Sequence, residues 1–319
     1  MKILKAPMFI VSNKEVKVAP RKELVKRGTV AVDRCESTPV VWHVRLLRLD
    51  VVDRNLEPEC YAQFFDYLTG EPVGNPTAQH LLFPSAYEEN GILYVIATQK
   101  KPFEALFLFE SSDLLNWSGH VIFRAPENWS LFNTSLCHSP DGYTIALEIG
   151  GEKEIVGNGF TMVFLRSSGS LYNWKVLDPH EAVYTPERYS ACPVLRWCGG
   201  YYYMIYLESL PLWVFMPYIV RSKDLIHYEV GIRNPVLAPS DDDKREAIPG
   251  LLSPDELRYV NETPDINNSD VDLCEYHGKT YLVYSWGTQT GREFLAHADY
   301  DGTMEEFLKS YFAVGPDPV

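Results

Sequence analysis

The chain has 319 residues and a formal net charge of −14. This acidic balance argues against nucleic acid and anionic membranes as partners, because both bind basic surfaces, whereas a neutral sugar is compatible with it. An aromatic content of 13%, together with 20 Gly and 22 Pro, favours many short strands joined by turns over long helices.

The cysteines and the apolar runs indicate the compartment. The six cysteines include no C-x-x-C pair, which is typical of buried free thiols in a reducing environment. No apolar run reaches the roughly 18 residues that cross a membrane. The N-terminus makes a poor signal peptide, because Pro7 interrupts a short apolar run. We expect a cytoplasmic protein, or a secreted or periplasmic one if a signal peptide has been removed.

A hairpin pattern recurs five times along the chain. Each copy has two β-forming runs around a tight turn, which in most copies contains glycine. The copies are residues 36–52, 83–99, 133–150, 192–209 and 264–287.

A second signature, a polar start followed by a leucine and a closing aromatic, follows three of these hairpins. It predicts a third strand, a turn and a fourth strand. After the last hairpin, residues 298–307 end on Phe307 at a comparable distance, which predicts the same arrangement there. Five such units predict an all-β fold, a five-bladed β-propeller with four antiparallel strands per blade and a central polar cavity.

The domain organisation follows from this repeat. Residues 1–29 are predicted to be an N-terminal extension that packs on the propeller, and residues 30–319 to form the propeller as a single domain. The Pro-rich, charged residues 235–265 interrupt the spacing of the repeat. We expect them to form a loop excursion with a short helix at Ser253 to Tyr259.

Polar residues stand where the first strand of each blade begins. In a propeller these strands line the central channel, so their first residues would meet at one mouth. Two carboxyl groups in one pocket suit the cleavage of a glycosidic bond, in which one donates a proton and the other acts as base or nucleophile. The candidates are Glu36, Asn133, Glu187, Arg188, Asn268, Asp270 and Asp272 at strand entries, Glu148 and Glu208 at the ends of second strands, and Trp286 as a sugar-stacking face.

The repeats, the turn signatures and the acidic strand entries resemble the five-bladed propeller glycoside hydrolases, the superfamily around families 43, 32, 68, 117 and 130. The resemblance implies that Asp270 and Glu36 match the strand-entry aspartate that acts as base or nucleophile. It also places the acid on a glutamate two residues before a proline. This chain has Ala191-Cys192-Pro193 there, so Glu187 is expected to supply the acid if its loop curls inward.

The sequence therefore predicts a glycosidase that degrades an oligosaccharide, with Asp270, Glu36 and Glu187 as catalytic residues. The remaining candidates would bind the carbohydrate, its expected partner. Two alternatives stay open: a non-catalytic carbohydrate-binding propeller that has lost its acid, and a phosphorylase, which needs arginines in the cavity. We expect no metal site and no cofactor. The residues leave open a structural ion in the channel, the sugar, the linkage and the oligomeric state.

Overall fold

The computed structural model describes residues 21–52, 59–152, 155, 159–185, 189–288 and 291–313. Five antiparallel sheets are arranged as the blades of a propeller. The prediction of an all-β, five-bladed propeller is confirmed. Within the described residues, no helix is long and apolar enough to cross a membrane.

Each blade begins with the strand nearest the axis. Blade 1 comprises β2 (Thr38–Trp42), β3 (Arg45–Val52), β4 (Tyr61–Asp66) and β5 (Pro72–Thr77). Blade 2 comprises β6 (Leu81–Glu89), β7 (Ile92–Gln99), β8 (Ala105–Ser111) and β9 (Ser118–Arg124). Blade 3 comprises β10 (Ser130–Ser139), β11 (Gly142–Gly150) and β12 (Thr161–Ser167), with β13 (Lys175–Val176) and β14 (Val183–Tyr184) both paired to β12 at its outer edge.

The last two blades follow the same order. Blade 4 comprises β15 (Ser190–Cys198), β16 (Tyr201–Leu210), β17 (Val214–Ser222) and β18 (Tyr228–Val230). Blade 5 comprises β19 (Asn267–Tyr276), β20 (Lys279–Gly287), β21 (Glu293–Tyr300) and β1 (Leu24–Val32).

The predicted hairpins form the inner pair of strands in every blade. Their turns explain why: Asn90 and Gly91 have φ values of 56° and 81°, the conformation that matches the twist of a two-residue hairpin. A closing aromatic of the turn signature packs between two blades. Trp117 of blade 2 stacks on Phe64 of blade 1, with ring centroids 5.8 Å apart.

The ring is closed by the beginning of the chain. Strand β1 pairs antiparallel with β21 and completes blade 5. The predicted boundary between residues 29 and 30 falls inside this strand, while residues 1–20 of the predicted extension lie outside the described residues.

The fourth strand expected at the C-terminal end is a helix instead, α2 (Met304–Lys309). Thr303 caps it by accepting a hydrogen bond from the Glu306 N–H, and the Glu306 carboxylate accepts one from the Thr303 N–H. This reciprocal pattern marks the start of a helix. Phe307, on the same helix, is buried. The prediction of a strand was wrong because β1 already fills that edge of the sheet.

The short helix predicted within the excursion, residues 235–265, is present as α1 (Pro254–Glu262), and Ser253 caps it. The excursion packs on β1. The N–H of Thr29 donates to the carbonyl of Arg245 over 2.7 Å, and Lys26 forms a buried ion pair with Asp243 at 2.5 Å. The excursion therefore holds the strand that closes the ring.

This contact allows a test at Gly28, whose φ is 109°. A Cβ at this position would lie 2.1 Å from the carbonyl oxygen of Arg245. We expect Gly28→Ala to lower the free energy of unfolding by about 1–3 kcal/mol. The alanine would be strained at this positive φ, and its Cβ would push the excursion away from β1. Urea denaturation followed by tryptophan fluorescence measures the change.

Gly169→Ala is the matched control. A Cβ at Gly169 meets no atom within 4 Å, so its effect should stay within about 0.5 kcal/mol. Equal midpoints for the two variants would show that the contact between Gly28 and Arg245 contributes little to stability.

Candidate active site

Irregular backbone at the start of the inner strands directs side chains toward the axis. Pairing shifts register between Leu82 and Ser85 in β6, and again at the corresponding points of β10, β15 and β19. A bulge of this kind inserts a residue and re-aims its side chain. The residues with positive φ at these entries are Glu36 (58°), Phe83 (55°), Cys192 (49°) and Asp270 (47°).

All five blades contribute residues to one central cavity, which opens to solvent. Its wall is mixed: eight of the fourteen lining residues are polar or charged and six are apolar or cysteine, so the predicted polar cavity is present only in part. The lining residues are Glu36, Ser37 and Thr38 from blade 1, Phe83, Pro84 and Ser85 from blade 2, Asn133 and Thr134 from blade 3, Cys192, Pro193 and Val194 from blade 4, and Asp270, Val271 and Asp272 from blade 5.

Asp270 and Asp272 both line the cavity. A regular strand would direct Asp270 and Asp272 to one face and Val271 to the other. The bulge between Ser269 and Asp272 alters this alternation, and Val271 lines the cavity as well. Asp270 accepts a hydrogen bond from the Ser269 hydroxyl at 2.6 Å. Cys192, from blade 4, lines the same cavity.

Asp272 has a different environment from Asp270. Its Oδ1 lies 2.5 Å from Nη2 of Arg196, whose Nη1 also lies 3.3 Å from the Ser135 hydroxyl. Burial raises the pKa of Asp272, and the Arg196 guanidinium offsets only part of this. The pair joins blades 4 and 5, and we interpret Asp272 as a structural part of the cavity floor.

Glu148, on β11, is buried beside the cavity. Its Oε2 accepts hydrogen bonds from Asn133 Nδ2 and from the Cys192 N–H, each at 2.9 Å. Burial nevertheless raises its pKa to about 7, with a further contribution from the charge of Asp270. A carboxyl group in this state holds a proton near neutral pH.

The other sequence candidates lie elsewhere or outside the described residues. Asn268 is buried, accepts from Lys26 at 2.8 Å and does not line the cavity. Trp286 is 1% exposed and stacks on Phe294 in the interior, so its ring offers no face to a sugar. Both corrections have one cause: these side chains point into the blade rather than toward the axis.

Glu208 is buried on β16, where it accepts from the Tyr206 hydroxyl at 3.0 Å. It does not appear among the residues that line the cavity. Glu187 and Arg188 lie outside the described residues, so the acid expected at Glu187 stays a prediction. Asn133 lines the cavity and holds Glu148.

Sequence reasoning missed Cys192 as a residue of the site. A signal for it exists in the repeat: Phe83, Cys192 and Asp270 each stand eight residues before a turn glycine, Gly91, Gly200 and Gly278 respectively. The neighbouring Ala191, where the resemblance places the acid, packs instead against Leu207 and Phe215 in the core.

Comparisons with known proteins agree with this architecture. No family model and no curated protein matches the chain. Among solved structures, one titled glycoside hydrolase matches with a TM-score of 0.59 and 12% identity, over 96% of both chains. An exo-1,5-α-L-arabinanase from a bovine ruminal metagenomic library matches with a TM-score of 0.52 and 11% identity, over 87% of this chain and 94% of the other.

A third similar structure is the xylan β-1,4-xylosidase from Bacillus halodurans, with a TM-score of 0.57 and 15% identity, over 91% of this chain and 55% of the other. The chain has the fold of propeller glycoside hydrolases. At these low identities the likeness shows the fold alone, and the chemistry depends on the residues of the cavity.

Among the residues that the structure describes, no group of three or more His, Cys, Asp or Glu is placed to hold a metal ion.

The ion pair in the cavity floor gives a second test. Arg196→Ala leaves the Asp272 carboxylate buried without its cation, so we expect a loss of about 3 kcal/mol in the free energy of unfolding. Denaturant titration measures it. The control is Arg258→Ala, whose pair with Asp255 is exposed on α1 and should cost less than about 1 kcal/mol. Similar losses for both variants would contradict the structural role of the Arg196 pair.

Proposed function

We propose that the protein is a glycosidase that cleaves a glycosidic bond in the central cavity. The observation that carries the proposal is the placement of two unlike carboxyl groups at one wall. Asp270 lines the cavity and accepts a hydrogen bond from the Ser269 hydroxyl. Glu148 stands behind the same wall with a pKa of about 7. Paired carboxyl groups with opposite protonation are what glycoside cleavage requires.

Glu148 serves as the general acid in this proposal. Its two hydrogen bonds, from Asn133 and Cys192, both end on Oε2, which leaves Oε1 to carry the proton. Asn133 and Cys192 themselves line the cavity, so the carboxyl group lies directly behind its wall. The proton passes from Oε1 to the glycosidic oxygen as the bond from that oxygen to the anomeric carbon breaks.

Asp270 supplies the ionised carboxylate. It either takes a proton from a water that attacks the anomeric carbon, which inverts the configuration, or attacks that carbon itself, which retains it. Glu36, from blade 1, lines the same cavity and adds a carboxylate that can bind sugar hydroxyls or share the role of Asp270.

Substitution of the two carboxyl groups tests the reaction. With a panel of 4-nitrophenyl glycosides and short oligosaccharides, we expect Glu148→Gln and Asp270→Asn each to lower kcat about 10²–10⁴-fold, the usual contribution of an acid or base. Asp141→Asn is the control, because Asp141 is exposed in the turn between β10 and β11, at the far end of β10 from the cavity entry.

Two outcomes separate the alternatives. If activity survives both substitutions, residues other than Glu148 and Asp270 catalyse the reaction. A wild-type protein that cleaves no glycoside in the panel but binds an oligosaccharide by calorimetry would be a carbohydrate-binding propeller.

The pH dependence is a separate prediction. Glu148 is protonated below its pKa of about 7 and loses its proton above it, so an acid catalyst at this position works at low pH and fails as the pH rises. We expect kcat/KM to fall above about pH 7. An activity that instead rises through pH 7 to 8 would contradict the assignment of Glu148 as acid.

A further inference from the structure

An apolar tip stands on blade 4, in the hairpin of its second and third strands. Leu210 at the end of β16 pairs with Val214 at the start of β17, so the loop between them is Pro211-Leu212-Trp213. Leu212 is 91% exposed and Trp213 is 79% exposed. These are the two highest values among the exposed large apolar residues that the structure describes. All seven tryptophans lie within the described residues, and Trp213 is the exposed one.

Strand pairing places this tip at the end of the propeller where the cavity opens. Glu208 on β16 lies opposite Ser190 at the start of β15, and Cys192 on β15 lines the cavity. The hairpin continues for two more residues to Leu210, which lies roughly 7 Å further along the strand than Glu208. The loop that follows therefore projects beyond the cavity entry.

The base of the tip is fixed to blade 5. Phe215, two residues after Trp213, donates its N–H to Oδ1 of Asn267 over 2.6 Å. Asn267 begins β19, the strand that carries Asp270. The Phe215 ring also packs against Tyr189, with ring centroids 5.6 Å apart. The tip is thus anchored at the junction of blades 4 and 5, beside the strand of the proposed base.

Two features of the loop argue against a structural role for the tip. Leu212 and Trp213 have φ values of 69° and 60°, a conformation that hairpin loops usually give to glycine or asparagine and that is unfavourable for bulky side chains. Because both side chains are exposed, burial in the core does not offset this strain. An apolar tip that is strained and unburied is typical of a binding surface.

The size of the tip favours a sugar over a second copy of the chain. A tryptophan side chain buries roughly 150–250 Å², whereas a stable protein interface needs about 800 Å² on each partner. A flat indole instead matches the apolar C–H face of one sugar ring. The net charge of −14 is compatible with a neutral carbohydrate.

We propose that Trp213 is an outer sugar-binding residue. An oligosaccharide held in the central cavity extends over the junction of blades 4 and 5, and one of its units outside the cavity stacks on the indole. The substrate is then an oligosaccharide with at least one unit beyond those at the cleaved bond. The inference rests on the proposed function for placing the sugar in the cavity, but the contact with Trp213 can be tested without cleavage.

Calorimetry tests this contact in the full chain with Asp270→Asn as the parent, so that no ligand is consumed. The ligands are linear xylo-, arabino- and cello-oligosaccharides of two, four and six units. For the hexasaccharide that binds best, we expect Trp213→Ala to weaken the affinity about tenfold, which is 1.4 kcal/mol. Trp213→Phe keeps a flat ring and should lose about threefold or less. The loss should be smaller for the disaccharide, because a short ligand does not reach the tip.

Leu115→Ala is the matched control. Leu115 is also apolar and is 55% exposed, but it lies in the turn between β8 and β9, at the opposite end of the propeller. This variant should bind the hexasaccharide as the parent does. Trp213→Ala should keep the urea midpoint of the parent, because the side chain is exposed. A lowered midpoint together with weaker binding would mean that the tip supports the fold, and would count against the proposal.

Fluorescence gives a second readout at the tip itself. Acrylamide should quench Trp213 first, since the other tryptophans are buried or half-buried. Saturating hexasaccharide should reduce the quenching in the parent and leave it unchanged in Trp213→Phe. Equal quenching of the parent with and without the sugar would contradict the stacking contact.

The outcomes separate this inference from the proposed function. If the wild type cleaves glycosides and Trp213→Ala binds every ligand as the parent does, the function stands and the inference fails. If binding depends on Trp213 but the wild type cleaves nothing, the inference stands for a carbohydrate-binding propeller and the glycosidase fails. A parent that binds no oligosaccharide, or a dimer that Trp213→Ala dissociates in sedimentation, would overturn the assignment of a sugar to the tip.

Discussion

The bulges at the entry of the inner strands are the constraint on which the cavity depends. A regular strand sends alternate side chains into the blade and toward the axis. Three of the four bulges contain a residue with positive φ, namely Phe83, Cys192 and Asp270, and each of these residues lines the cavity. Such backbone costs about 1–3 kcal/mol per residue, and the pairing of the strands that follow it in each blade offsets this cost.

Carboxyl groups meet three different environments in and beside this cavity. Asp272 faces a guanidinium and helps to hold blades 4 and 5 together. Asp270 accepts from the Ser269 hydroxyl, while Glu148 is buried with two N–H donors and binds its proton until about pH 7. The difference comes from burial and from the neighbours that each carboxyl group meets. Glycoside cleavage needs such a difference, and a set of equally solvated carboxylates would lack it.

Closure of the ring connects the outer structure to this site. Strand β1 completes blade 5, and β19 of the same sheet carries Asp270 and Asp272. The excursion packs on β1 through the buried pair of Lys26 and Asp243, and the Tyr284 hydroxyl donates to Asp243 over 2.5 Å. Stability at this seam therefore supports the strand that presents the proposed base.

The sequence by itself determined the five blades, because the turn residues and the alternation within each hairpin are local signals. It also located Glu36, Asn133 and Asp270 at the strand entries, and these residues do line one cavity. It could not show that β1 pairs with β21, since that pairing joins the two ends of the chain. Nor could it show the burial that gives Glu148 its proton or the contacts of Cys192. Those depend on bulges and on neighbours from other blades, which only the tertiary structure brings together.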